Sequence, residues 1–193
     1  MPTYVAFLRA INLGPTRKFP KADIVTAVEA AGGTDVATYI NTGNVRLTST
    51  MRSRAKLEAA LEKAFEADRG FAVPTLVFTR AEICAMADDA DELAEGHEGR
   101  HYISLLKQPP TAAGTTTIEA AGGEGERAVV RDRAVHLLIG ENYRDATIEN
   151  SLVEKAFGVA TNRNVTVIRA IAEKWCGWSA DRDAEHGSGA EVQ

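Results

Sequence analysis

The chain is short of several things that would have announced a function. It has two cysteines in 193 residues. Cys84 and Cys176 are far apart and each lies in a helix-like segment, so they read as reduced, buried thiols and not as a framework of bridges. No run approaches the ~20 apolar residues that a membrane helix needs. The first residues lack the basic region, apolar core and cleavage site of a secretory leader. The expectation is therefore a cytoplasmic protein without a membrane partner. No GxxxxGK[ST] loop, no GxGxxG after a strand and no GxSxG elbow is present, so the common phosphate cradles and the serine-hydrolase signature are missing. The net charge of −5 argues against indiscriminate binding of nucleic acid, which is driven by neutralising phosphates. Aromatic residues are few. In the first strand Tyr4 and Phe7 point to opposite faces, and "VRLTS" has none, which leaves no stacking platform for RNA bases.

What is there is a globular composition, 45% hydrophobic and 25% charged. The charge is unevenly spread. From Met1 to Leu57, Arg9, Arg17, Lys18, Lys21, Arg46, Arg52, Arg54 and Lys56 face only Asp23, Glu29 and Asp35, a net of about +5, whereas "DDADELAEGHE" is strongly acidic. Any nucleic acid would have to sit on that basic edge.

Periodicity orders the elements. "TYVAFLRAI" is a buried strand, apolar on both alternating faces. "PKADIVTAVEAAGG" is a helix with Pro20 in its first turn and Gly32 and Gly33 at its end. "TDVATYIN", the "TGN" turn and "VRLTS" make a hairpin, "SRAKLEAALEKAFEAD" an amphipathic helix, and "FAVPTLVFT" a strand whose Pro74 favours a sheet edge. This βαββαβ order is the ferredoxin-like arrangement. After the short helix "AEICAMADDA" and a polar loop the pattern restarts with "HYISLLK", a helix from the prolines at 109 and 110, the hairpin "ERAVVRD" and "RAVHLLIG", and a helix in "IENSLVEKAFG". The last helix, "VTVIRAIAEKW", follows with no clear final strand before it. The fold class expected is α+β, two ferredoxin-like halves in tandem, the second irregular with extra C-terminal helices. The boundaries are 1–79, a helix and acidic linker over 80–100, the second half over 101–178, and a disordered tail over 179–193.

In a βαββαβ unit the first and second strands run parallel with the third antiparallel between them. The end of strand one and the hairpin turn then share an edge. That places Asn12 and Gly14 beside Asn41, Thr42, Gly43 and Asn44, with Arg17 and Lys18 on the adjoining loop. Amide side chains and exposed backbone N–H groups suit the rim of an anion pocket. Two structural readings stand beside this one. Hairpin turns need residues tolerant of positive φ, and Asn12 can cap its own loop. The arginine inside the apolar "AFLRAINLG" poses the same choice between packing at an edge and meeting a ligand. In "ATNRN", Thr161 or Asn164 is the N-cap of the last helix, and Arg163 stands near that helix's start, where anions are favoured. If Arg163 faces the first half, the two polar clusters form one site in the cleft between halves.

"HEGRH", His97 to His101, matches the letters of a zinc signature, but Gly96 and Gly99 interrupt the helix that the chemistry requires. His136 reads as a packed histidine in an apolar strand. No metal and no cofactor is expected, and no spacing singles out a catalytic acid, base or nucleophile.

"YVAFLRAINLG", "TYINTGNV" and "NSLVEKAFGVATNRN", in that order and spacing, resemble the bacterial family of uncharacterised proteins known as domain of unknown function sixteen-ninety-seven. The resemblance runs from about Tyr4 to Trp175 and implies a duplicated ferredoxin-like fold, with no established activity. The family signature falls on Arg9, Ile11, Asn12 and Gly14, on Gly43 and Asn44, and on Arg163 and Asn164. Pro15 stands where the family usually repeats glycine, which removes a backbone donor, and Thr42 replaces the usual serine.

The leading expectation is a binding protein for a small anionic ligand, phosphorylated or nucleotide-like, held by Arg9, Asn12, Asn44 and Arg163. The arginines would pair charge and the asparagines would orient the ligand. Replacing Arg163 by alanine would then abolish binding at little cost in stability. An enzyme using the same cleft and a structural module that dimerises through a sheet edge are the alternatives, and the protein is a monomer or a homodimer.

Overall fold

Along the first strand, β1 (Thr3–Leu8), Tyr4, Ala6 and Leu8 point to one face and Val5 and Phe7 to the other. All five are buried, so the strand needs an apolar layer on both sides. The computed structural model describes residues 1–41, 43–141 and 146–180, and it supplies both layers. The segments α1 (Lys21–Ala30), β2 (Thr34–Tyr39), β3 (Asn44–Thr48), α2 (Arg54–Arg69) and β4 (Thr75–Thr79) follow β1. The four strands form an antiparallel sheet in the order β2-β3-β1-β4, with β4 at an edge just after Pro74. One face packs Tyr4, Ala6 and Leu8 on Ile24 and Val28 of α1 and on Leu57, Leu61 and Phe65 of α2.

The same order recurs in β5 (Arg100–Leu106), α4 (Ala112–Glu119), β6 (Arg127–Arg131), β7 (Ala134–Ile139), α5 (Asn150–Phe157) and β8 (Ala160–Asn164). These strands form a second antiparallel sheet, β6-β7-β5-β8. Its outer face packs Leu106, Val135 and Leu137 on Ile118 of α4 and Val153 of α5. The protein is thus α+β, with two four-stranded antiparallel sheets.

A third core joins them. Val5, Phe7, Leu76 and Phe78 of the first sheet meet Ile103, Leu105 and Ala134 of the second around α3 (Arg80–Ala94) and α6 (Val165–Ile171). Helix α3 starts without a loop, because Thr79, the last residue of β4, is also its N-cap. The Thr79 hydroxyl accepts from Glu82 N at 3.2 Å, and Glu82 Oε2 accepts from Thr79 N at 2.7 Å, a reciprocal capping box. Helix α6 runs on into a π-helical turn, Ala172–Cys176.

Two elements differ from the sequence reading. "ATNRN" is not only a cap but the missing final strand, β8, in register with β5 through Ile103↔Arg163. It shows no apolar alternation because, beyond Ala160, its buried side chains are Thr161 and Arg163, which are held by hydrogen bonds. Helix α3 continues through much of the acidic run to Ala94, with Ala87, Ala90 and Leu93 buried between the carboxylates. Thr42 and residues 181–193 of the expected tail lie outside the described residues. Among the described residues no helix is long and apolar enough to cross a membrane.

Candidate functional site

β1 ends beside the β2–β3 turn, and the backbone ties the two together: Leu8 N donates to Gly43 O at 2.8 Å. After Leu8 the chain winds through left-handed conformations at Ala10 (φ +57°), Asn12 (φ +56°) and Gly14 (φ +67°). Asn12 holds the resulting loop. Its Oδ1 accepts from Phe19 N at 2.9 Å, and its Nδ2 donates to Asn41 O at 2.8 Å. Across from this loop stand β8 and the first turn of α6. Between them lies an open cleft of about 430 Å³.

The cleft has an apolar floor and polar walls. Leu8, Ile11 and Val167 contribute the first, and Asn12, Asn41, Asn162, Arg163 and Asn164 the second. Among the described residues that line it, Arg163 is the only charged one and none is a carboxylate. Leu13 and Ile40 are exposed at its rim, and Ile40 carries φ +50°, a costly conformation for a β-branched residue. Among the described residues, three of the five non-glycine residues with positive φ therefore line one cleft, and backbone strain of that kind gathers at functional sites.

Arg163 is buried in the wall. Its Nε donates to Asn44 Oδ1 at 2.7 Å, Nη1 to Thr161 Oγ1 at 2.9 Å and Asn162 O at 2.8 Å, and Nη2 to Leu8 O at 3.2 Å. The guanidinium also sits 5.4 Å from the centre of the Phe7 ring. Burial lowers its pKa to about 10, which leaves it cationic at neutral pH. These contacts correct one expectation: alanine at 163 would remove the bonds to Asn44 and Leu8 across the junction and those to Thr161 and Asn162 within β8, so the change is not cheap for the fold.

The remaining sequence candidates divide. Asn44 is buried, orients Arg163 and donates from Nδ2 to Tyr39 O at 3.0 Å. Asn164 lines the cleft and is the N-cap of α6, accepting from Thr166 N at 2.9 Å. Gly43 is pressed against Leu8, and Gly14 is exposed. Arg9 turns away from the cleft: its Nε donates to Ala160 O at 3.0 Å and its Nη2 pairs with Glu154 Oε1 at 2.6 Å. Arg17 also turns inward, to Ala10 O and Ala72 O and over the Phe71 ring. Lys18 is exposed and outside the lining.

Sequence reasoning missed Arg133, a second buried arginine of the second half that reaches a carbonyl of the first sheet. It is buried, donates from Nη2 to Val77 O at 2.8 Å and lies 3.9 Å from the centre of the Phe78 ring. Its place at a hairpin turn resembled ordinary surface charge. Leu13, Ile40 and Val167 were missed as well, because single apolar residues carry no signal of the cleft they line.

The zinc-like letters are not on a helix. α3 ends at Ala94, His97 is half-buried in the loop after it, and His101 lies in β5. There His101 Nε2 meets the ring Nδ1 of His136 at 3.0 Å in a buried pair.

The family described as Protein of unknown function (DUF1697) matches over residues 1–136. The chain belongs to that family. The span matched in this DUF1697 protein holds the β1 loop and the β2–β3 turn and ends before Arg163 and Asn164. A conserved bacterial protein from Streptococcus pneumoniae, SP0830, has a similar structure, with a TM-score of 0.68 and 20% identity over 90% of this chain and 97% of that one. At that identity the likeness is one of fold. No curated protein matches this DUF1697 member.

Proposed function

We propose that the protein binds a small anionic ligand in the cleft between two tandem ferredoxin-like halves. The observation that carries this is the lining: one guanidinium, fixed by backbone and side-chain acceptors, among asparagine amides and with no carboxylate among the described residues. A preorganised cation beside amide donors selects negative charge, and the apolar floor takes the rest of the ligand. Arg163, Asn12, Asn41 and Asn164 are the binding residues in this reading. Arg9 and Arg17, engaged elsewhere, support the loop and the junction, and Asn44 positions Arg163. Strain at Ala10 and Ile40 fits a site held ready.

The test is a thermal-shift panel of phosphosugars, nucleotides and dicarboxylates, because a ligand at 100 times its Kd adds about 2.7 kcal/mol of stability. Leu13→Glu places a negative charge on the rim at an exposed position and spares the fold. The expected result is an anion that raises the melting temperature of the native protein and fails to do so for Leu13→Glu. Equal shifts in both proteins, or none with any anion, overturn the reading.

A further inference from the structure

The chain's two cysteines, 92 residues apart in sequence, come together at one place on the fold. Cys84 lies half-exposed in the second turn of α3, and Cys176 closes the π-helical turn at the end of α6. The Cys84 thiol donates to the Cys176 carbonyl oxygen at 3.8 Å. The contact is held from both sides. Arg80, one turn before Cys84 on the same helix, donates from Nη2 to Cys176 O at 2.9 Å, and Trp178 Nε1 donates to Asp88 Oδ1 at 2.6 Å, one turn after it. Gly177, at φ +76°, bends the chain between these two anchors.

We propose that Cys84 and Cys176 are a redox-modification site, closed by peroxide into an intramolecular disulfide and reopened by a dithiol. Their accessibility assigns the order of events. Cys84, the more exposed, meets the oxidant: its thiolate attacks hydrogen peroxide, the O–O bond breaks, and a sulfenic acid forms with release of hydroxide. The Cys176 sulfur then attacks the Cys84 sulfur and expels water as its own proton is lost. Two thiols and one peroxide give one disulfide and two waters. Burial, helped by the neighbouring Cys84, holds the Cys176 thiol up at about 12, so Cys176 is the poorer first nucleophile toward peroxide and reacts only in the second step, where it gives up its proton. A bond here ties α3, which touches both sheets, to the π-helical turn Ala172–Cys176.

The molecule supplies its own reporter. Both of its tryptophans, Trp175 and Trp178, lie within two residues of Cys176. The purified protein is treated with stoichiometric hydrogen peroxide and followed by intact mass, thiol labelling and tryptophan fluorescence. The expected result is a loss of 2 Da, both thiols protected from alkylation, a monomeric band on a non-reducing gel, and quenched fluorescence that dithiothreitol restores. Cys176→Ser should stop at a dimedone-reactive sulfenic acid on Cys84, and Cys84→Ser should leave Cys176 reduced under the same dose. A gain of 16 or 32 Da in the native protein, a disulfide between chains, or oxidation of Cys176 in Cys84→Ser each overturns the proposal.

Discussion

Gly14 and Gly43 both take left-handed backbone, at φ +67° and +76°, yet only one of them is closed to a side chain. A Cβ at Gly43 would stand 2.7 Å from Leu8 Cβ and 2.9 Å from Ile11 Cδ1, whereas nothing lies within 4 Å at Gly14. Gly14→Ala should therefore cost only the conformational penalty of about 1–2 kcal/mol, and Gly43→Ala should add about 1–3 kcal/mol of overpacking. Urea denaturation of the two variants checks the difference. The arginines divide in the same way. Arg163→Ala leaves Leu8 O and Asn44 Oδ1 without their buried donor, at about 2–4 kcal/mol, which in a chain of this size lowers the melting temperature by roughly 5–15 °C. Arg9→Ala removes a partly exposed ion pair with Glu154, and calorimetry should find a loss of about 1 kcal/mol or less from that pair. The arginine in "AFLRAINLG" thus serves the junction more than the cleft.

At the level of elements, the edge of β4 shows how a strand end can be closed by side chains. Thr75 N donates to Glu62 Oε1 at 2.8 Å and Val77 N to Glu58 Oε1 at 2.9 Å, both from α2, while Arg133 takes Val77 O. An edge so covered offers no open ladder for another strand. Glu58→Ala should expose the Val77 amide to hydrogen exchange and cost about 1–3 kcal/mol. Glu58→Gln, which keeps the acceptor, should leave the exchange protected. Burial raises the pKa of Glu58, so a neutral replacement there also removes a desolvation cost. Elements such as α2, with Leu57, Leu61 and Phe65 on one stripe, were legible in the sequence because hydrophobic burial leaves a period. β8 was not, because hydrogen bonding to a buried arginine leaves none. The neighbourhood of Asn12, Asn41 and Gly43 followed from strand order alone. That Arg163 enters the cleft wall while Arg9 leaves it depends on side-chain partners from the other half, more than 100 residues away.

On the scale of the whole molecule, the shared core carries the acid sensitivity. His101 and His136 face it from β5 and β7, beneath α3. Burial is the largest cause for both rings, and in the same direction Arg169, His97 and Arg127 oppose a charge on His101 while His101 and Arg131 oppose one on His136. The rings are held neutral, His101 down to about 4 and His136 to about 3, while the unfolded chain protonates them near 6.5. Their contribution is complete above about 6.5 and is lost as pH falls toward 4. Melting curves from pH 8 to 4 should decline across that window, and the variant with leucine at both positions should decline less. A shallower fall in the native protein than in the variant would contradict this.

The layering also sets a timetable for synthesis. Val5, Phe7, Leu76 and Phe78 present an apolar face when β4 leaves the ribosome, and α3 covers part of it soon after. The rest waits for Ile103, Leu105, Ile168 and Ile171. At ~5–20 residues per second the final stretch of chain takes roughly 5–20 s to emerge. For that interval the nascent first half carries an unsealed hydrophobic surface, which makes it a client for a holding chaperone at the exit tunnel and makes truncation before α6 a route to aggregation.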